Sequence, residues 1–304
     1  MFFRLTPFAS GAATQPIFKL ESRRLPWGHD ARTMIRKSRN LIVTITAICL
    51  GIWAIICLTV ALNATDNTIS ILVEYSLMSA VLLSSLGLVA SIYNDFVSIA
   101  ASLDGINGEI INGRWDLLRI ANLREGYFVV SKHALAQIKA WRAVINVVAL
   151  RVAAILLFEI ALLIIVLESG DAYARYGMSD FFFLVAVVPV IGMLGLVFII
   201  EPFWRMRTMT AIGLLVSAHT RHPSHSPLAA VGVMLAVWVA QTFVMFAIVI
   251  GVSGLLFPFF FVLTFGCVPF IIGMFVFVGM YGFYAVLQNW CIRRVAMRLA
   301  LMDT

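Results

Sequence analysis

The residues best placed to do chemistry in this chain are charges set inside apolar sequence. An ionised side chain costs roughly 2.5–3.5 kcal/mol at the centre of a membrane helix, so it is retained there for a reason. Arg151 and Glu159 fall within one apolar run, and Glu201 stands at the end of another. Eight residues, about 12 Å of helix, separate Arg151 from Glu159, too far for a direct pair on a straight helix. The expectation is that Glu159 faces a neighbouring helix or a wet cavity and that Arg151 snorkels to the headgroups. Arg151, Glu159 and Glu201 are the candidates for a translocation path or gate; helix packing through polar contacts is the competing reading. Glu74 and Asp95 lie near the two ends of a further run. His219, His222 and His225 have the look of a metal triplet, but Pro223 and Pro227 break the helix that would align them, and no Cys or carboxylate is close in sequence. That stretch reads as a solvated loop. No metal and no cofactor is expected.

A second group of residues fills the one long polar interruption, Asn94 to Arg142. It contains Gly108-Glu109-Ile110-Ile111-Asn112-Gly113-Arg114-Trp115-Asp116-Leu117-Leu118-Arg119 and, later, Ser131-Lys132-His133-Ala134-Leu135-Ala136-Gln137. The first part has the pattern of a short amphipathic helix, with Trp115 and Leu118 on one face and Arg114, Asp116 and Arg119 on the others. Gly108 and Gly113 punctuate it, and Gly126 precedes a second helical run into the next apolar segment. Such an interruption is where a membrane protein presents a surface to something soluble.

The elements that must position these residues follow from composition. The chain has 304 residues, 62% hydrophobic and only 12% charged, with a mean hydropathy of +0.99. Soluble domains carry about a quarter charged residues. The chain therefore belongs with all-α polytopic membrane proteins. Cys49, Cys57, Cys267 and Cys291 lie in or beside apolar runs without paired spacing and read as packing residues.

A bilayer core of about 30 Å takes about 20 apolar residues as helix. Six runs reach that length: 41–62, 69–93, 143–167, 181–200, 228–251 and 258–287. Of the 22 Lys and Arg, eight precede the first run, six lie in 94–142, three in 201–227 and three after the last run. Arg175 alone falls in the opposite links, which instead carry Asp66, Glu168, Asp171 and Asp180. By the positive-inside rule both termini are cytoplasmic, and the net charge of +7 reflects topology rather than nucleic-acid binding. The cell membrane is the expected location, with lipids as neighbours. Residues 1–40 read as a basic cytoplasmic segment with an interfacial helix from Asp30 to Asn40. Met206, Met209, Ile212 and Val216 recur at helical spacing and predict a second interfacial helix over Thr208–His219. The last run continues as a cytoplasmic helix end over 288–304.

No Gly-rich phosphate loop with Lys-Ser/Thr, no Gly-x-Ser-x-Gly elbow and no His-Glu-x-x-His occurs, so the chain itself is not expected to be an enzyme. The phrase from Gly108-Glu109 through Asn112-Gly113-Arg114-Trp115-Asp116-Leu117-Leu118-Arg119 to Val129-Val130-Ser131-Lys132 resembles the loop between the second and third spans of ABC-2-type ABC transporter permeases. There a Glu-x-x-x-Gly-Thr-Trp-(polar)-Leu-Leu phrase is followed by Thr-Pro and later by Gly-Lys. Here Ile120-Ala121-Asn122 stands in place of the Thr-Pro, and Ser131 precedes the Lys. The six runs, the cytoplasmic termini and the helix before the first span are similar to that family as well.

The resemblance implies a permease subunit that pairs with a second permease subunit, identical or related, and with separate ATPase subunits. Arg114, Trp115, Asp116, Leu118 and Arg119 would dock in an ATPase, with Trp115 and Leu118 as buried anchors and the arginines at the rim. Few fixed charges inside point to an amphipathic cargo. The alternative is a non-transporting structural or assembly subunit of a larger membrane complex, respiratory or photosynthetic, built on a retired permease fold.

Overall fold

A computed structural model describes residues 6–10, 15–28, 30–63, 68–111, 113, 125–176, 179–220, 225–256 and 267–301 of the chain. In hydrocarbon every backbone N–H and C=O must be bonded within the segment, and helices meet that demand. After a 3-10 turn at Pro7–Ser10 come α1 (Pro16–Ser22), α2 (Ala31–Asn63), α3 (Thr68–Ile111), α4 (Glu125–Tyr176), α5 (Ser179–His219), α6 (Ser226–Leu256) and α7 (Cys267–Leu301). No strand occurs among the described residues.

Among the described residues five helices are long and apolar enough to cross a membrane: α2, α3, α4, α6 and α7. Their outward faces carry large apolar side chains in the open, such as Ile55 and Leu58 on α2, Val81 and Leu82 on α3, and Phe243 and Ile250 on α6. Patches of this size are untenable in water and are what lipid-facing helices present.

The helices continue well past their apolar runs. The largest shared face joins α3 to α4; α5 packs on α3, α4 and α7, and α2 packs on α4. Ser91 lies opposite Arg151 and Glu109 opposite Lys132, so α3 and α4 run antiparallel in one register over that length. Residues 94–111 of α3 and 125–142 of α4 therefore form a paired extension of about 27 Å beyond the apolar runs. The ends of α5 and α7 complete it: Ile106, Phe128, Val129, Leu214, Ala218, Val295 and Leu299 form one buried cluster.

Three sequence expectations are corrected by this extension. Asp30–Asn40 is not a separate interfacial helix; Ala31 begins α2, whose first turn is capped by the Thr33 amide donating to Asp30 Oδ1. Thr208–His219 is not interfacial either, because Met206, Met209, Ile212 and Val216 are all buried. Their stripe is answered by Ile99 on α3, Ala230, Met234 and Val237 on α6, and Cys291 on α7, so it packs on protein rather than on headgroups. Within the polar interruption Lys132, His133 and Gln137 are interior rather than surface, at 8%, 3% and 3% exposed.

The largest core cluster gathers where the extension meets the apolar runs. Trp141 on α4 is fully buried, stacks at 5.4 Å on Phe203 of α5 and donates its indole N–H to Ser38 Oγ of α2 at 2.8 Å. A buried indole needs such a partner for its N–H. Gly213 lets α5 approach α3 closely, since a Cβ there would lie 2.0 Å from Ser102 Oγ and 2.9 Å from the Ile99 carbonyl oxygen.

Candidate functional site

The site begins with a proline. Pro202 sits inside α5 and has no N–H to give to the carbonyl four residues back, which is Phe198. Arg151 of α4 takes that carbonyl instead: its guanidinium donates to Phe198 O and lies 4.4 Å from the centre of the Phe198 ring. The same guanidinium donates to Ser91 Oγ of α3 at 2.9 Å and to Glu201 Oε2 of α5 at 2.9 Å. Arg151 is 3% exposed and so does not snorkel to the headgroups, against expectation. A freed carbonyl, a hydroxyl and a carboxylate inside the bundle outweigh the reach to solvent.

From Glu201 the chain of bonds continues across the bundle. Tyr284 of α7 donates its hydroxyl to Glu201 Oε1 at 2.7 Å, and Arg205, one turn along α5, stands 3.5 Å from the same oxygen. Arg205 Nε donates to both oxygens of Asp95 on α3, at 2.9 and 2.8 Å, with a further contact through NH2. Trp238 of α6 gives its indole N–H to Asp95 Oδ2 at 2.8 Å, and its ring lies 5.5 Å from the Arg205 guanidinium carbon. Asp95 is fully buried. Five helices, α3 to α7, are thus joined by one network.

Two arginines face two carboxylates, so the set is neutral. Desolvation of buried charges is costly, and such a network contributes little net stability against apolar packing. Removing a single member, however, strands a charge and costs about 3–5 kcal/mol. The network therefore fixes how the helices register far more than it stabilises the fold. It has no nucleophile beside a base, and among the described residues no three of His, Cys, Asp and Glu come together. Its chemistry is electrostatic: two ion pairs, Arg151–Glu201 and Arg205–Asp95, coupled through the contact of Arg205 with Glu201.

A second polar cluster lies in the extension. Lys132 bridges Glu109 of α3 at 2.8 Å and Glu21 of α1 at 2.9 Å, holding the N-terminal helix against α4. Next to Lys132 in sequence, His133 Nε2 contacts the Arg207 carbonyl at 2.9 Å while the Gln137 amide reaches Nδ1 at 3.0 Å. A carbonyl only accepts, so Nε2 carries the proton and Nδ1 receives one from the Gln137 amide, which makes the ring neutral.

No protein family, curated protein or solved structure matches the chain. The residues themselves must carry the functional reading. Of the expected gate residues, the structure brings Arg151 and Glu201 together. Glu159 is not with them: it is exposed on α4 beside exposed Phe158, facing out of the bundle rather than toward a neighbouring helix or cavity of this chain. One helical position decides this, since Leu157 and Ala161 take the buried face. Arg114, Trp115, Asp116, Leu118 and Arg119 lie outside the described residues, as does His222. Sequence reasoning noted Asp95 only as the end of a run and missed Arg205, Trp238 and Tyr284. Glu201-Pro202 was the signal that could have found them, because a helix carrying an interior proline leaves a carbonyl for a donor from elsewhere.

Proposed function

We propose that the chain is the transmembrane permease subunit of an ABC-2-type ABC transporter, driven by separate ATPase subunits that dock on Arg114, Trp115, Asp116, Leu118 and Arg119. In this reading 181–200, within α5, supplies a sixth span, and the clustering of Lys and Arg places both termini in the cytoplasm of a cell-membrane protein. ATP hydrolysis belongs to the partner. The observation that carries the reading is the packed helical extension, about 27 Å long, in which α3 ends at Ile111 and α4 begins at Glu125, on either side of the docking phrase in sequence; such rigid helices would carry a push from a soluble partner into the bundle.

The ion-pair network supports the same reading from the other end. It lies where the extension enters the apolar runs, and it binds α3 and α4 to α5, α6 and α7. Force applied at the tip of α3 and α4 is then shared by the bundle, as a rigid-body tilt requires. Arg151 and Glu201 serve here as the gate's latch. Glu159 favours a second permease subunit, since a carboxylate on the outer face of an apolar helix is costly unless another chain covers it. Cargo is amphipathic in this account.

The test is recovery of the tagged chain in mild detergent from cells that make it, wild type against Trp115→Ala with Leu118→Ala, with bound proteins identified by mass spectrometry. An ATPase recovered with wild type and lost from a still-folded double variant supports the permease. Recovery of an integral membrane complex with no ATPase leaves the structural-subunit reading in its place.

A further inference from the structure

On the flank of the ion-pair network, α5 and α7 enclose a cavity of ≈ 180 Å³ whose walls include Trp204, Arg207, Tyr281, Tyr284, Gln288 and Asn289. Its lining offers a guanidinium, two side-chain amides, two phenols and an indole, and no carboxylate. The Tyr284 hydroxyl is turned away to Glu201, whose charge is met by Arg151 and Arg205. The cavity is therefore rich in donors and positive, which suits an anion with several acceptor oxygens.

Height and shape narrow the class. Gln288 and Asn289 stand where α7 passes from its apolar run to Arg293, Arg294 and Arg298, the level of lipid headgroups. Trp204 closes one side, edge-on to Tyr281 at 5.4 Å and to Phe277 at 5.2 Å, as aromatic side chains do at that depth. Drug-sized ligands occupy pockets of roughly 300–1,000 Å³, so this one holds a headgroup and not a whole amphiphile. Met274, Val278 and Tyr281 are exposed in line above Ala285 and Gln288, at the i, i+4, i+7 spacing of one helix face. They form an apolar track from the cavity along the membrane-facing side of α7.

We propose that this cavity binds the phosphodiester headgroup of an anionic membrane lipid, with Arg207 as its cation, Gln288 and Asn289 as amide donors, and the acyl chains lying along Met274 and Val278. The site does not depend on the chain being a permease. Occupation would fill the seam between α5 and α7 one turn from Arg205, making the latch sensitive to the lipid around it.

The experiment is native mass spectrometry of the full chain released from nanodiscs of phosphatidylcholine containing a minor share of phosphatidylglycerol. Wild type retains phosphatidylglycerol. Arg207→Gln lowers that retention by about tenfold or more, the scale of one charge-assisted hydrogen bond. Ala285→Phe, which fills the cavity and keeps the cation, lowers it likewise. Arg293→Gln, exposed on α7 and outside the cavity, leaves it unchanged. Equal losses in Arg207→Gln and Arg293→Gln, or full retention in Ala285→Phe, overturn the proposal in favour of a diffuse basic surface. Displacement of the lipid by millimolar inorganic phosphate alone overturns it in favour of a free-phosphate site.

Discussion

Glu201→Gln isolates the charge of the latch from its shape. In the native protein Glu201 accepts from Arg151 at 2.9 Å and from Tyr284 at 2.7 Å, and faces Arg205 at 3.5 Å. The glutamine keeps the volume and one acceptor for Tyr284 but leaves two guanidiniums against Asp95 alone. Stranding a buried charge costs about 3–5 kcal/mol; the surviving neutral hydrogen bond offsets about 1 kcal/mol of that. The expected destabilisation is about 2–4 kcal/mol. Arg151→Met has the opposite sign of imbalance and also leaves the Phe198 carbonyl without its donor. Combined, the two substitutions restore neutrality, since Arg205 and Asp95 remain paired. The double variant should then be more stable than the sum of the single losses predicts, by about 1–3 kcal/mol. Unfolding in mixed micelles by SDS titration, followed by far-ultraviolet circular dichroism, reads all four corners of the cycle. A loss under about 0.5 kcal/mol for Glu201→Gln, the size of an ordinary surface change, or a strictly additive cycle, refutes a coupled neutral network.

Three further outcomes follow from other parts of the structure. Gly213→Ala puts a methyl against Ser102 Oγ and the Ile99 carbonyl and should cost about 1–3 kcal/mol; Ser102→Ala should recover part of it in the same titration, and an unchanged midpoint for Gly213→Ala would show that α3 and α5 part easily. Lys132→Met removes the cation shared by Glu21 and Glu109, so α1 should detach and residues 16–28 should become cleavable by protease while the bundle stays folded; equal cleavage rates would show that apolar contacts alone hold α1. The Thr33 amide holds the Asp30 carboxyl below its ordinary range. A lowered folded value means that the cap stabilises above the unfolded carboxylate range and is lost as pH falls through the folded one. The thermal midpoint of Asp30→Ala should therefore lie below wild type at neutral pH and converge with it in acid; a constant gap would assign the effect to something other than the charge.

Much of this architecture is legible in the residues because hydrocarbon leaves few choices. Apolar runs of bilayer length must be helices. The misreadings share one cause. Glu201, Arg205 and Arg207 look like the start of a solvated link when each charge is scored alone, and Lys132, His133 and Gln137 look like surface. In the fold Glu201 and Arg205 are met by Arg151 and Asp95, and Lys132 by Glu21 and Glu109, and buried ions paired in this way are indistinguishable from a loop by hydropathy. Arg151 was recognisable as an anomaly, yet its partners come from positions 50 and 60 residues away, on α5 and α3. No local pattern encodes that pairing. Glu159 failed differently: helical periodicity says which residues share a face but not which face is turned inward, and here Leu157 and Ala161 hold the inner one.

The measurement closest to the central claim is a photocrosslink from the segment that links α3 to α4 in sequence. A photoreactive amino acid in place of Trp115, in the full chain within the membranes of cells that make it, reports whatever sits against that position. The account predicts a covalent adduct with a separate soluble subunit that binds ATP, and its loss when Leu118→Ala is added. An adduct only with lipid or with another integral membrane protein would contradict the account and assign the extension to a structural contact.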